Sequence, residues 1–265
     1  MQSLDRIMSI LRTLALSRKD NLRLTEIASA IGLAKPTVDR LLEALCAEGL
    51  VERDETDKTY RLGMELMFLG LSSARVNPLG TLARPVIEEL AAATGDGIFL
   101  GMRAGNDQVC TDRAFGDYPV KAEVFQIGGR RPLGVGANGL AILGCLPREE
   151  VAEICAANEL RLREYANFSP EWIMEAADFV RDHGYIYTEG RIMPDVNAMS
   201  MPVRGFSGYP VAAVAIVCLA SRFANGRFDF VRCQLRSCVT KLEAVLQNGR
   251  TKHAPGCFAH TAGEE

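Results

Sequence analysis

Apolar side chains recur at intervals of three or four from the start of the chain. Leu4, Ile7, Met8, Leu11 and Leu14 share one helical face, and Arg18, Lys19, Asp20 and Asn21 end that helix in a polar loop. A second helix is predicted from Glu26, with Thr25 as its cap and Ile27, Ala28 and Ile31 turned inward. Gly32 follows at once, suited to the positive φ of a sharp corner, and Pro36 fits the first turn of a third helix over residues 35–47. Along it Val38, Leu41, Leu42 and Leu45 lie on one side, with Pro36, Thr37, Arg40 and Ala44 broadly opposite. Two helices joined by so short a corner form a helix-turn-helix pattern, whose second helix is the one offered to a DNA major groove. Glu48 and Gly49 stop it, and residues 50–53 and 59–62 flank the polar tip 54–58 as a hairpin wing.

Beyond this module the pattern changes. Residues 63–74 carry long apolar side chains on more than one face, so this linker helix needs cover from a second domain or a partner chain. Asn77-Pro78 breaks it, and a helix over 79–93 follows. Strands are predicted at 97–102 and 108–112, joined by a loop over 103–107, with a third at 125–127. The glycine-rich stretch 130–139 runs into a helix at 140–145, and further helices are expected at 149–158 and 171–183, the latter capped by Ser169 and ended by Gly184. Strands at 185–189, 198–203 and 211–218 precede a final helix over 228–246. The class is α+β: residues 1–62 a winged helix-turn-helix, 63–78 a linker, 79–250 a ligand-sensing domain with a mostly antiparallel sheet, and 251–265 a disordered tail.

Composition narrows the function. The 265 residues are 48% hydrophobic, enough for a sizeable core, and the longest apolar run, 211–220, is half of the roughly 20 residues a membrane-crossing helix needs. The first six residues lack the basic and apolar regions of a secretory signal, so a cytoplasmic protein is expected. Of eight cysteines, Cys46, Cys145, Cys155 and Cys218 stand among Leu, Ala, Ile and Val, as small buried hydrophobes do in a reducing compartment; no Cys-x-x-Cys pair occurs. Net charge is -3, and residues 1–62 hold ten basic and ten acidic side chains, so contact with DNA rests on the placement of a few cations. Lys35, Thr37 and Arg40 are the chief candidates, Lys35 for backbone phosphate and the other two for base edges or phosphate, with Lys58 and Arg61 of the wing as phosphate contacts.

Nothing resembles a catalytic constellation. There is no dinucleotide-binding glycine pattern, phosphate loop or nucleophile elbow. His183 ends a helix, where an imidazole satisfies a terminal carbonyl. His253, Cys257 and His260 fall in the tail, without the preformed shell that a metal needs. Asp112, Arg113, Asp195 and Asn197 are suited to surround a polar ligand, but no histidine completes an acid-base set. No cofactor and no metal are expected. Two alternatives remain beside a DNA-binding regulator: a protein-binding or oligomerisation module, and an enzyme whose helix-turn-helix pattern is accidental.

The run from Leu24-Thr25-Glu26-Ile27-Ala28 through Gly32 to Leu45, then Gly49-Leu50-Val51 and Tyr60-Arg61-Leu62-Gly63, resembles the IclR family of bacterial transcription regulators. Gly184-Tyr185, Met199 to Val203 and Val211 to Cys218 extend the resemblance over nearly the whole chain. It implies a winged helix joined by a helix to a GAF-like effector domain, assembled as homodimers that often pair into homotetramers. Pro36 stands where relatives usually carry Ser, so this contact position offers DNA no hydroxyl. The implied effector is a small organic acid or aromatic catabolite, and the implied pocket residues are Asp112, Gly136, Ala137, Asn138, Asp195, Asn197, Met201 and Cys218. Gly136-Ala137-Asn138 leaves more room and less charge than the bulkier polar start usual at this helix. The expected mechanism is a change in the placement of paired wings, transmitted through the 63–74 helix.

Overall fold

The computed structural model describes residues 2–17, 19–74, 79–205, 207–224 and 226–250. The predicted tail, with His253, Cys257 and His260, lies outside them. Two units emerge, one of Met1–Asn77 with Phe125–Arg130 and the other of Pro78–Val124 with Arg131–Glu265.

The first unit contains α1 (Gln2–Leu16), β1 (Leu22–Arg23), α2 (Leu24–Ile31), α3 (Lys35–Ala47), the hairpin β2 (Val51–Asp54) and β3 (Thr59–Leu62), and α4 (Met64–Ala74). Ile10 and Leu14 of α1 meet Ile27, Val38, Leu42 and Leu45 in a core closed by Val51 and Tyr60 of the hairpin. Each such side chain contributes on the order of 2 kcal/mol by leaving water. The second helix starts one residue before Thr25. Leu22 and Arg23 are drawn into a short strand against Tyr60 and Thr59 of β3, so α2 begins directly after it. The cap is then made from within, because the Arg23 backbone N–H donates to Glu26 Oε2 at 2.8 Å. Gly32, at φ 67°, turns the chain out of α2, and its N–H and that of Leu33 both reach the Ala28 carbonyl.

The second unit begins with α5 (Leu79–Thr94), β4 (Gly97–Ala104), β5 (Asp107–Phe115), β6 (Arg130–Pro132) and α6 (Ala137–Leu143). It continues through α7 (Arg148–Ala157), α8 (Glu159–Leu162), α9 (Pro170–His183), β7 (Ile186–Glu189), β8 (Val196–Arg204), β9 (Pro210–Leu219) and α10 (Arg227–Arg250). The six strands stand in the order β6-β5-β4-β9-β8-β7, and the ladders joining β5, β4, β9, β8 and β7 are antiparallel. One face packs α5 and α10 over Ile98, Leu100, Met199, Met201, Val214, Ile216 and Cys218. The other packs α6, α7 and α9, with Leu140, Ile154, Ile173 and Val180 in its core. Central β9 is covered on both sides, which is why its sequence is an unbroken apolar run.

Three local expectations change. Residues 125–127 are not a strand: Gly129 N–H closes a turn on the Gln126 carbonyl at 3.0 Å, and the edge strand falls at Arg130–Pro132, where a proline needs no ladder donor. The loop between β4 and β5 shrinks to Gly105 and Asn106, because both strands run on beyond their apolar residues. Helix α6 starts at Ala137, three residues early, since the Gly136 carbonyl already accepts the Leu140 N–H at 3.2 Å. The Ser169 cap forms as expected, its hydroxyl accepting the Trp172 N–H, and His183 Nδ1 meets the Phe179 carbonyl at 2.9 Å.

Candidate functional site

Helix α3 turns Val38, Leu42 and Leu45 into the core, and its 3.6-residue period then puts Lys35, Pro36 and Arg40 on the exposed side, with Thr37 half-buried at the boundary. Among the described residues neither Lys35 nor Arg40 takes part in an ion pair. The wing differs. Arg61 pairs with Glu52 at 2.8 Å on the next strand, and Lys58, at φ 51°, sits in the turn of an acidic tip. There the Asp54 carboxylate accepts the Thr56 and Asp57 backbone N–H groups, which hold its pKa below the ordinary range. The wing thus spends one of its two candidate cations on an internal contact.

In the second unit, strand alternation divides the candidate effector residues between the two faces of the sheet. Met201 and Cys218 point into the core under α5 and α10. On that same side Arg84 Nη1 of α5 donates to Asp112 Oδ1 at 2.7 Å, and Asn197 Nδ2 donates to Tyr187 Oη at 2.6 Å. Asp195 takes φ 60° in the turn before β8, its carbonyl accepting the Ala220 N–H. Gly136, Ala137 and Asn138 belong to the α6 side. Asn138 is held there by its neighbours: Nδ2 donates to the Phe99 carbonyl at 3.0 Å, and Oδ1 accepts the buried Ser200 hydroxyl at 2.7 Å.

Around Gly136 two polar side chains converge, those of Gln108 and Arg131. A Cβ built on this glycine would lie 3.5 Å from Gln108 Nε2, 3.7 Å from Arg131 Nη1 and 3.9 Å from Ile192 Cδ1, so there is room for about one methyl group among an amide, a guanidinium and an aliphatic side chain. At φ 86° the position also favours glycine. Gln108 is 1% exposed. Its Nε2 donates to the Val135 carbonyl, while its Oε1 is buried without a hydrogen-bond partner. Arg131 Nη2 donates to the Val124 carbonyl, and burial lowers the pKa of this guanidinium. The signal was available in the sequence: Gln108 is a polar residue at an inward position of an alternating strand, two before Cys110.

Both units match models of one protein family. Residues 3–55 match the IclR helix-turn-helix domain, and residues 72–244 match the bacterial transcriptional regulator IclR C-terminal domain. The chain belongs to the IclR family. Its relatives include the HTH-type transcriptional regulator KipR of Bacillus subtilis, 27% identical over 88% of this chain and 90% of the relative. The glycerol operon regulatory protein of Streptomyces coelicolor is 28% identical over 94% of this chain and 98% of its own. Among solved structures, an IclR-type regulator from Alicyclobacillus acidocaldarius superimposes with a TM-score of 0.75 at 23% identity, covering 92% of this chain and 98% of that one. An IclR homologue from Microbacterium hydrocarbonoxydans, complexed with 4-hydroxybenzoate, gives the same TM-score at 22% identity over 93% and 99%. This IclR-family chain is therefore a DNA-binding transcription regulator. Among its described residues no helix is long and apolar enough to cross a membrane, and no group of His, Cys, Asp and Glu is arranged to hold a metal.

Proposed function

We propose that the exposed side of α3 reads an operator duplex and that a small organic effector, bound on the α6 side of the sheet, modulates this binding. Lys35 neutralises phosphate, Thr37 and Arg40 reach base edges, and Pro36 gives apolar contact in place of a hydroxyl. Lys58 adds a phosphate contact from the wing, and Arg61 does so only by leaving Glu52. The observation that carries this reading is the unpaired, outward placement of Lys35 and Arg40 on a helix whose other side is locked into a core. Retention of operator fragments in a salt series tests it. Saturable, sequence-selective binding supports a DNA reader, and its absence at physiological salt returns the first unit to a protein-binding role.

Gly136, Ala137 and Asn138 form the effector side, while Met201, Cys218, Asp112 and Asn197 serve the opposite core. The 4-hydroxybenzoate held by the Microbacterium homologue supports an organic acid as effector. The protein acts in the cytoplasm by binding, without turnover. Its unit of action is a homodimer, capable of pairing further into a tetramer. Helix α4 supports that assembly: Met64, Met67, Phe68, Leu69 and Leu71 are each about half exposed, from 48% to 59%, an apolar cluster of the kind that marks a protein contact.

A further inference from the structure

The sheet of the second unit ends at β7, and the parity of the ladder fixes which main-chain groups stay open there. Gly190, one step beyond the Glu189–Asn197 pair, donates its N–H to the Val196 carbonyl at 3.1 Å. Antiparallel pairs alternate between bonded and unbonded, so Ile186 and Thr188 also turn their main-chain groups towards β8, while those of Tyr187 and Glu189 face outward. Among the described residues these four outward groups have no hydrogen-bond partner. Proline or lysine commonly blunts such an edge. Strand β6, at the far end of the sheet, finishes on Pro132, but β7 contains neither residue. Along the β7 edge runs a groove of about 490 Å³. It is lined by Tyr185 to Glu189, by Trp172, Glu175 and Phe179, which share one face of α9, and by Phe228 of α10.

We propose that this edge takes an extended, cationic segment of another protein as a seventh strand. Its main chain bonds to Tyr187 and Glu189, and its side chains settle in the groove. Charge selects this occupant. Glu175 and Glu189 are exposed, and neither enters an ion pair among the described residues. Arg191, the cation among the lining residues, is already committed: it rests on the Trp172 ring at 3.5 Å and donates to the Asn167 carbonyl. Lysine or arginine side chains of an added strand answer the two carboxylates, and apolar ones lie on Phe179 and Phe228. A second copy pairing through the same edge would gather four carboxylates at one seam, where like charges oppose each other. The segment 251–265 of this chain carries one lysine against two glutamates, the wrong balance for an acidic groove. The proposal does not depend on the effector reading above.

Fluorescence anisotropy on the full chain tests this with a labelled octapeptide alternating lysine and valine and its glutamate–valine counterpart. Two further forms of the lysine peptide are N-methylated on alternate amides, one at the valines and one at the lysines. The lysine peptide should bind about tenfold or more tightly than the glutamate peptide at low salt, and the gap should narrow as salt screens the carboxylates. Only one set of alternate amides in an added strand faces β7, so one N-methylated form should bind as the parent does and the other about tenfold or more weakly. Hydrogen exchange followed by NMR should show the Tyr187 and Glu189 amides slowed by the peptide, and those of Ile186 and Thr188, already bonded to β8, unchanged. Glu175→Gln together with Glu189→Gln should erase the charge preference. Glu189→Pro, which removes an outward N–H that the sheet does not use, should weaken binding beyond Glu189→Gln. Melting curves establish that the variants are folded, and the exchange pattern of the unaltered chain decides where one is not. Equal binding of lysine and glutamate peptides, equal effects of the two N-methylations, binding by neither peptide, or unaltered exchange at Tyr187 and Glu189 overturns the proposal. Protection of these two amides that grows with protein concentration in the absence of peptide assigns the edge to a second copy, and overturns it as well.

Discussion

Arg227 Nη2 lies 2.6 Å from Asp96 Oδ2 and fastens the first residue of α10 to the turn before β4. Arg222 donates to the other oxygen of the same carboxylate, and both guanidiniums also reach the Thr94 carbonyl. The Asp96 side chain has no exposed surface, while Arg222 and Arg227 keep 17% and 23% of theirs. Taking away the carboxylate strands two half-buried cations beside each other. Asp96→Ala should cost about 3 kcal/mol of stability, the lower end for breaking a buried pair, because both partners retain some water. Urea unfolding of the full chain measures it, and a loss below about 1 kcal/mol would mean that solvent already screens the cluster.

On DNA, the two outward cations of α3 should behave differently. Lys35→Ala should weaken binding to all duplexes alike and reduce the slope of log affinity against log salt by about one. Arg40→Ala should cost about 1–3 kcal/mol at the operator and much less on unrelated DNA, since a base contact carries the specificity. Fluorescence anisotropy over a salt series reads both, and unchanged operator affinity for Arg40→Ala removes that residue from the interface.

The ion pair on the wing gives a third test. With Glu52 neutralised, Arg61 loses its partner at 2.8 Å and is released for the proposed phosphate contact. Glu52→Gln should therefore tighten binding by a few tenths of a kcal/mol, the scale of an exposed pair. Weaker binding would show that Glu52 positions Arg61 for DNA instead of withholding it.

What could be read from the sequence follows the range of the interactions involved. Helix α3 and its inward Val38, Leu41, Leu42 and Leu45 come from a local period, and the structure buries three of them and leaves Leu41 partly buried against the same core. Thr25 failed as a cap because the start of α2 is decided by the pairing of Leu22 with Tyr60, a contact 38 positions away in the chain. Effector candidates were harder for the same reason. Ser200 and Met201 are adjacent, yet one meets Asn138 under α6 and the other enters the core under α5 and α10. Which face a strand residue takes depends on register across the sheet, and a one-residue step reverses it. Gln108 and Arg131 come together only once β5, β6 and the start of α6 have been folded around Gly136.

Thiol chemistry separates the cysteines. Burial pushes the Cys238 thiol up to about 12, with the same cause and value at Cys218 and about 11 at Cys110, whereas Cys233 is exposed on α10. In the folded chain at pH 8, iodoacetamide should modify Cys233 and spare these three, as mass spectrometry of digested protein can count. In alkali the unfolded chain releases these protons near pH 9, while the folded chain holds them to higher pH. Stability from this source is complete below pH 9 and falls as pH rises towards 12. Cys238→Ala should flatten the alkaline decline in Tm, and an unaltered slope would assign the decline to other groups.

The proposed homodimer assigns its contact to α4. Phe68 and Leu69 are 52% and 54% exposed, and adjacent positions on a helix point about 100° apart, so no single small contact covers both. In the proposed dimer a second copy of the helix, packed along its length, covers them. Phe68→Glu together with Leu69→Glu should turn a dimer into monomers in sedimentation velocity. The loss on DNA should then exceed anything a single contact residue produces, because two recognition helices about 34–36 Å apart bind as one ligand only while they are joined. A double variant that sediments as the parent does would place the dimer contact elsewhere. If it becomes monomeric yet binds the operator with undiminished affinity, each winged helix reads its half-site alone.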